Sequence, residues 1–570
     1  MTNSGKDYAV RGWLVLAATL VVLVVVSFVP PIEAGAISLR RASVISDLIN
    51  LDKTADGELL AEEQPEINVE EFEVDLEEVA AQVKQTTAQA SPMGEATSAS
   101  WEGIFEEQPS GGEELVAEGD NAPSLDELPQ ADFSEILPDE SLITRIESFA
   151  QGEETPLDRL YDKLLAGKEQ VRVAFMGDSF VEGDILTADL RELLQDTFSG
   201  GGVGYAPVAS PFTGFRQTIK TTSKGWTSYN IMQRKSAPEP YSGDFFVSGW
   251  VAKASEGAST RWEMTQKRRH ADECRRARLL FICREDAKVS VRLDDGEERT
   301  FSFVAGEEVR QIVIESECIN SLEMRVLSGA AGFTGIGAEF DDVKGVAVDN
   351  LSVRSNNGQA MFWSNAAVNA QINTMRPYDL VVLQYGLNIM QAERHNYSLY
   401  AEQVEKMVQY VQSCFPGAAV IVMGVSDRSQ KNESGIVPMT AAKDLTRWQR
   451  TAAEKCGVAF WDTYSAMQQL GGMSTFVANG WAGKDYTHIN YAGGARIARE
   501  LYYALLKGAE EYCASVHERI ERTQPLLTKP IEIEPINKMS VEGVEEVLKV
   551  EVEGIQDDAE DDLGGEDDIL

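Results

Sequence analysis

Histidine is scarce in this chain: four among 570 residues, at 270, 395, 488 and 517. Its six cysteines, at 274, 283, 318, 414, 456 and 513, include no Cys-x-x-Cys pair and none at metal-ligand spacing from a histidine. That excludes the common zinc-site patterns, and no metal or organic cofactor is implied. Cys414 and Cys456 each precede an apparent strand, so a disulfide between them and a pair of buried free thiols are both open. Basic residues are also few, 51 against 92 acids for a net charge of −41, which argues against nucleic acid as a partner. The acid is unevenly spread. Residues 47–140 hold 27 acids and two lysines, and residues 531–570 hold 15 acids and two lysines. Both stretches are poor in aromatics and lack sustained periodicity, so they are predicted to be solvated and largely disordered. The middle of the chain is nearly neutral, as a folded enzyme would be.

Long apolar runs are confined to one place. Residues 12–32 carry no charge and follow Lys6 and Arg11. About 20 apolar residues span a hydrocarbon core, so the run is predicted to be an uncleaved signal anchor with residues 1–11 cytoplasmic. Arg40 and Arg41 on the far side weaken the charge bias. Ala34-Gly35-Ala36 leaves a cleaved signal peptide open. In either case the remainder is placed outside the cytoplasm, on the periplasmic side of a bacterial inner membrane, and a membrane is a partner through the anchor.

Three segments carry chemistry. Residues 171–176 read as a hydrophobic strand that runs into Gly177-Asp178-Ser179. Residues 378–385 read as a buried parallel strand ending in Gly386-Leu387-Asn388. Asp485-Tyr486-Thr487-His488 follows a hundred residues later. A serine hydroxyl attacks an ester only when a base takes its proton and a third group fixes that base. Of the four histidines only His488 has a carboxylate three residues before it, so Ser179, His488 and Asp485 are the candidate nucleophile, base and orienter. Asn388, just past a strand's carboxyl end, lies where open α/β sheets bind ligands, and its amide can donate to a developing oxyanion.

With a glycine between the first and third, these blocks resemble the SGNH (GDSL-type) hydrolases. They do not resemble the Gly-x-Ser-x-Gly elbow, since Phe180 and Val181 follow Ser179. The resemblance implies a flavodoxin-like three-layer α/β domain and a fourth block whose glycine amide joins Ser179 and Asn388 in the oxyanion hole. By order along the chain Gly358 fits that block, with Gly202 and Gly204 as rivals. One departure stands out. Members carry an acidic residue after the asparagine and a small polar one before it, whereas this chain has Leu387 and Ile389, which puts substrate preference in doubt.

Some 140 residues with strand-like alternation interrupt the α/β pattern. They read as an inserted all-β sandwich domain, residues 201–343, between hydrolase segments 141–200 and 344–522. An acidic linker, residues 33–140, and an acidic tail, residues 523–570, flank them. An insert between the serine and glycine blocks looks like the peptidoglycan O-acetylesterase subgroup, which carries a carbohydrate-binding-module-like β domain there. Trp226 and Tyr229 of the insert are candidates for stacking on sugar rings, although aromatics in a sandwich are more often core. The basic run Lys267-Arg268-Arg269-His270 with Arg275, Arg276 and Arg278 reads as a solvated loop by default, with an anionic glycan or the acidic linker as other partners. The expected activity is a serine esterase removing acyl, especially O-acetyl, groups from a cell-envelope glycan. A glycan O-acetyltransferase would use the same residues, and a non-catalytic envelope-binding or scaffold protein is the second alternative.

Overall fold

The computed structural model describes residues 32–34, 37–39, 73–89, 98–102, 130–211, 214, 216–433 and 435–527. Residues 1–31 and the acidic tail beyond 527 lie outside this set, as does all of the expected anchor except Ile32. Among the described residues no helix is long and apolar enough to cross a membrane.

Five parallel strands form the sheet that positions the site: β1 (Gln170–Gly177), β2 (Gly345–Asn350), β3 (Leu380–Gln384), β4 (Ala419–Met423) and β5 (Ala459–Trp461). Their spatial order is β2-β1-β3-β4-β5, and Glu147–Ser148 closes the β5 edge in antiparallel sense. That is the flavodoxin-like order, whose switch point lies between β1 and β3. Helices Pro156–Ala166, Thr187–Phe198 and Tyr491–Leu527 pack together, as do Ser398–Cys414 and Ala441–Cys456. Because helices cover the sheet, β1, β3 and β4 are buried along most of their length, which explains their unbroken apolar sequence.

The insert is one hydrogen-bonded path of mainly antiparallel strands between Gly204–Pro207 and Phe333–Asp341. The path curls, so strands near opposite ends share a core: Val289, Val291 and Phe303 lie in one cluster with Phe281, Ile312 and Trp262. A second face of the insert, including Tyr205, Phe246, Leu280 and Ile336, joins the core of the α/β domain. The architecture is thus an α/β domain with an inserted β domain.

A buried charge cluster joins the two. Arg172, the sole charge in β1, is 1 % exposed. Its Nε donates to Asp349 Oδ2 of β2 at 2.9 Å, its Nη1 to the Arg376 carbonyl at 2.6 Å, and its Nη2 to Glu339 of the insert. Arg376 meets the other Glu339 oxygen at 3.1 Å, and Tyr378 donates to Asp349 Oδ2 at 2.8 Å. Every charge in the cluster has an opposite partner, the condition under which buried ions are tolerated.

Two expectations change, and one left open is decided. The acidic stretch read as a disordered linker contains helix Leu76–Gln89 and strand Ser98–Glu102. Asp75 caps the helix by accepting from the amides of Glu77 and Glu78, each at 3.0 Å, and Val83 is buried against the α/β core. The strand adds in parallel to Val309–Glu315 of the insert. The basic run is only partly solvated: Lys267, Arg269 and Arg275 are exposed, but several of its charges are paired. Arg268 grips Asp189 with two bonds of 2.6 and 2.9 Å, Arg269 reaches Glu192 at 2.9 Å, and His270 bridges Asp196 and Glu273. It clamps the insert onto helix Thr187–Phe198, whose acids recur at helical spacing. Finally, Cys414 and Cys456 are free thiols, the first buried and the second partly so.

Arg172→Met should lower unfolding free energy by about 3–5 kcal/mol in a urea titration, since Glu339 and Asp349 then stay buried without their shared cation. A loss below about 1 kcal/mol would show that the cluster does not depend on this guanidinium.

Candidate active site

The sheet delivers three loops to one point. Gly177 and Gln384 are register partners, so the chain leaves β1 and β3 side by side. After β2 the backbone follows β1 to its end, with Leu351 N bonded to Phe175 O and Val353 N to Gly177 O, each at 2.9 Å. A side chain at Gly177 would run into Val181 and Gln384, so the nucleophile turn requires a residue without Cβ.

Ser179 is 7 % exposed, and its Oγ lies 3.2 Å from His488 Nε2. His488 Nδ1 lies 2.8 Å from Asp485 Oδ2. Asp485 Oδ1 accepts from the amides of Thr487 and His488 at 3.0 and 3.1 Å, so one carboxylate shapes its own loop and orients the ring. Burial pushes the Asp485 carboxyl up, but the bonds from the His488 ring and from the two amides outweigh it and hold the group at about 2. With Nδ1–H directed at an ionised carboxylate, Nε2 is left as the acceptor for the serine proton. His270 and His395 are bound elsewhere, to Asp196 and Asp444.

The loop beyond the nucleophile is anchored to the insert. Buried Asp184, at φ 67°, pairs with Arg216 at 3.0 Å and Arg191 at 3.4 Å and accepts from Thr218 Oγ1 at 2.7 Å. Burial raises this carboxyl, yet the two guanidinium groups and the threonine hydroxyls carry it well below the usual range.

Asp178, Asn388 and Asn356 form the floor. Asp178 is fully buried, with Oδ1 accepting from Phe180 N at 2.9 Å and Oδ2 from Asn388 Nδ2 at 3.1 Å. Burial pushes its carboxyl up to about 7, against the lowering effects of the Phe180 amide and of His488. Asn388 Nδ2 also donates to the Asn356 carbonyl at 3.3 Å. Gly358 lies in this loop at φ 103°, where an added Cβ would strike the Met407 thioether. Its amide donates to Asn356 Oδ1 at 2.8 Å rather than standing open. Gly202 and Gly204, the rivals, pack on the insert strand and on β2 backbone instead. The Ser179 amide has no hydrogen-bond partner among the described residues.

The structure thus brings Ser179, His488, Asp485 and Asn388 together, with Gly358 adjacent. It does not bring Trp226 there. That ring is partly buried, packs against Phe333 and Gly335 of the insert and donates Nε1 to the Ser259 carbonyl at 3.1 Å. Tyr229 pairs with Tyr241 in a small cluster that includes Val353 and Ala360 of the loop after β2. Sequence reading missed Asn356, although an Asn-Asn-Gly run is a recognised turn signature.

No protein-family model and no curated protein matches the chain. Among solved structures, a peptidoglycan O-acetylesterase overlays with a TM-score of 0.53 at 21 % identity, covering 64 % of this chain and 99 % of that one. A lipase/acylhydrolase from Enterococcus faecalis gives 0.21 at 21 % identity over 28 % of this chain and 76 % of its own. A family two carbohydrate esterase from Clostridium thermocellum in complex with cellohexaose gives 0.20 at 11 % identity, over 49 % and 98 %. The first overlay shows a shared fold, the one implied by the four-block resemblance; the other two are too partial to add to it.

A carboxyl raised on folding stabilises the protein fully below its unfolded value near 3.8 and loses that contribution as pH climbs through about 7. Asp178→Asn removes this titration. Urea unfolding of both proteins across that window should show wild-type stability declining relative to the variant as pH rises. Parallel pH profiles would mean that Asp178 ionises normally in the fold.

Proposed function

We propose that this chain is a serine esterase that removes acyl groups, O-acetyl among them, from a cell-envelope glycan such as peptidoglycan or an exopolysaccharide. The observation that carries the reading is the Ser179–His488–Asp485 relay, with steps of 3.2 and 2.8 Å. Ser179 Oγ attacks the ester carbonyl while His488 Nε2 takes its proton, and a tetrahedral oxyanion forms. As that intermediate collapses, the imidazolium returns the proton to the departing sugar oxygen, leaving an acyl-enzyme. Water, deprotonated by the same imidazole, then releases the acid. Asp485, held ionised, stabilises the imidazolium at both stages. The overlay with a peptidoglycan O-acetylesterase supports the substrate class. If a sugar hydroxyl replaces water in the second half, the same residues perform transfer.

The location proposed for this activity is outside the cytoplasm, tethered by residues 12–32. It rests on their uncharged, apolar sequence and on Lys6 and Arg11 before them.

Ser179→Ala should abolish turnover of an acetyl-ester reporter to within the residual that binding and the oxyanion hole alone sustain. With an acetylated glycan, free acetate should account for the product. Near wild-type activity in the variant would defeat the nucleophile assignment, and acetyl groups recovered on an acceptor sugar would convert the reading to a transferase.

A reporter fused after Glu140 should be active only outside the cytoplasm, and the full chain should remain with membranes through an alkaline wash. A soluble product beginning near Ile37 would show a cleaved signal peptide instead of an anchor.

A further inference from the structure

In the resting site, two of the three donors expected to form the oxyanion hole end on one residue. Asn356, 2 % exposed, accepts from the Gly358 amide at 2.8 Å and the Ala360 amide at 3.2 Å through its side-chain oxygen. Its main-chain carbonyl accepts from Asn388 Nδ2 at 3.3 Å. The next amide in the loop, that of Asn357, is taken by Gln359 Oε1 at 2.8 Å. Tyr400 fixes the turn from outside by donating to the Asn357 carbonyl at 2.9 Å. The Asn357 and Gly358 amides are thus both taken within the loop, whereas the Ser179 amide has no partner among the described residues.

The two hydrogens of Asn388 Nδ2 are unequal. One is held at 3.1 Å by Asp178, whose other oxygen binds the nucleophile turn at Phe180 N. The other reaches the Asn356 carbonyl at the longer 3.3 Å, and a developing oxyanion can share it. Charge that appears only in the transition state rewards a donor held in place beforehand, and a neutral carbonyl is a weaker competitor than an oxyanion.

We infer that the oxyanion hole of this chain has two donors, the Ser179 amide and Asn388 Nδ2, and that Asn356 is the positioning residue that sets the plane of the Asn388 amide. Gly358 then serves sterically, because its backbone lies where Met407 leaves no room for a Cβ. Asn356 acts through the turn that its side chain closes: without that acceptor the Gly358 and Ala360 amides lose their partner and the carbonyl facing Asn388 loses its fixed direction. This inference rests on the esterase reading of the site.

The test is a double-mutant cycle on the full chain with an aryl acetate. Asn388→Ala should lower kcat by about 10² to 10³-fold, the loss of one preorganised donor. Asn356→Ala should lower kcat by about tenfold with KM within about twofold, a misplaced rather than a missing donor. In the Asn388→Ala background, Asn356→Ala should have no further effect, since the residue it positions is gone. Asn356→Ser, which keeps a side-chain acceptor for the turn, should recover most of the loss. Losses that multiply in the double variant would show a general structural role and overturn the inference. An Asn356→Ala enzyme with unchanged or raised kcat would also overturn it, because the freed Gly358 amide would then be a third donor. Absence of Ser179-dependent turnover in the wild type would instead defeat the esterase reading, and this inference with it.

Discussion

A guanidinium that cannot reach water fixes the arrangement of this protein. Arg172 sits in β1, yet its nitrogens contact β2, the segment leading into β3, and the insert. Each of those contacts is charged or polar and buried, so any slip in strand register would strand an ion without its partner. Such a slip costs several kcal/mol, comparable with the whole stability of a domain. Arg172 lies toward the amino end of β1 and Arg376 and Tyr378 just before β3, and the candidate catalytic loops leave from the opposite ends of those strands. Fixing the floor of the sheet therefore fixes where Ser179, Asn356 and Asn388 emerge above it.

The insert does more than occupy a long loop. It contributes Glu339 to the buried cluster, Arg216 to Asp184 beside the nucleophile, and Arg268 and Arg269 to the helix that follows. The nucleophile turn is thus braced from both domains. Asp178 binds the same turn to Asn388, so the candidate nucleophile and the candidate oxyanion donor share one buried carboxyl. Positions of this kind hold reacting groups before substrate arrives, and electrostatic catalysis depends on that.

Ser179 and Asn388 were legible as candidates because each follows directly from a strand whose apolar run is long enough to recognise, whereas Asp485 and His488 lie in a loop after helix Gly472–Ala478. Order along the chain then limited the choices. His488 stood out by scarcity, and the β insert by the length and alternation of residues 201–343. What escaped detection has physical causes. Leu76, Val79 and Val83 do recur at helical spacing, but the surrounding acid masked a helix whose stability comes from docking on the α/β domain. The basic run was read without its partners because Asp189, Glu192 and Asp196 are remote in sequence. Asn356 was invisible as a site residue because its role lies in a carbonyl and a turn.

The most direct test of the central claim is mass-spectrometric mapping of a fluorophosphonate adduct on the full chain, which forms only on a serine activated by a neighbouring base. A single adduct on the peptide containing Ser179, lost in His488→Ala and strongly slowed in Asp485→Ala, is the expected result. An adduct on another serine, or one on Ser179 that forms equally fast without His488, would contradict the relay.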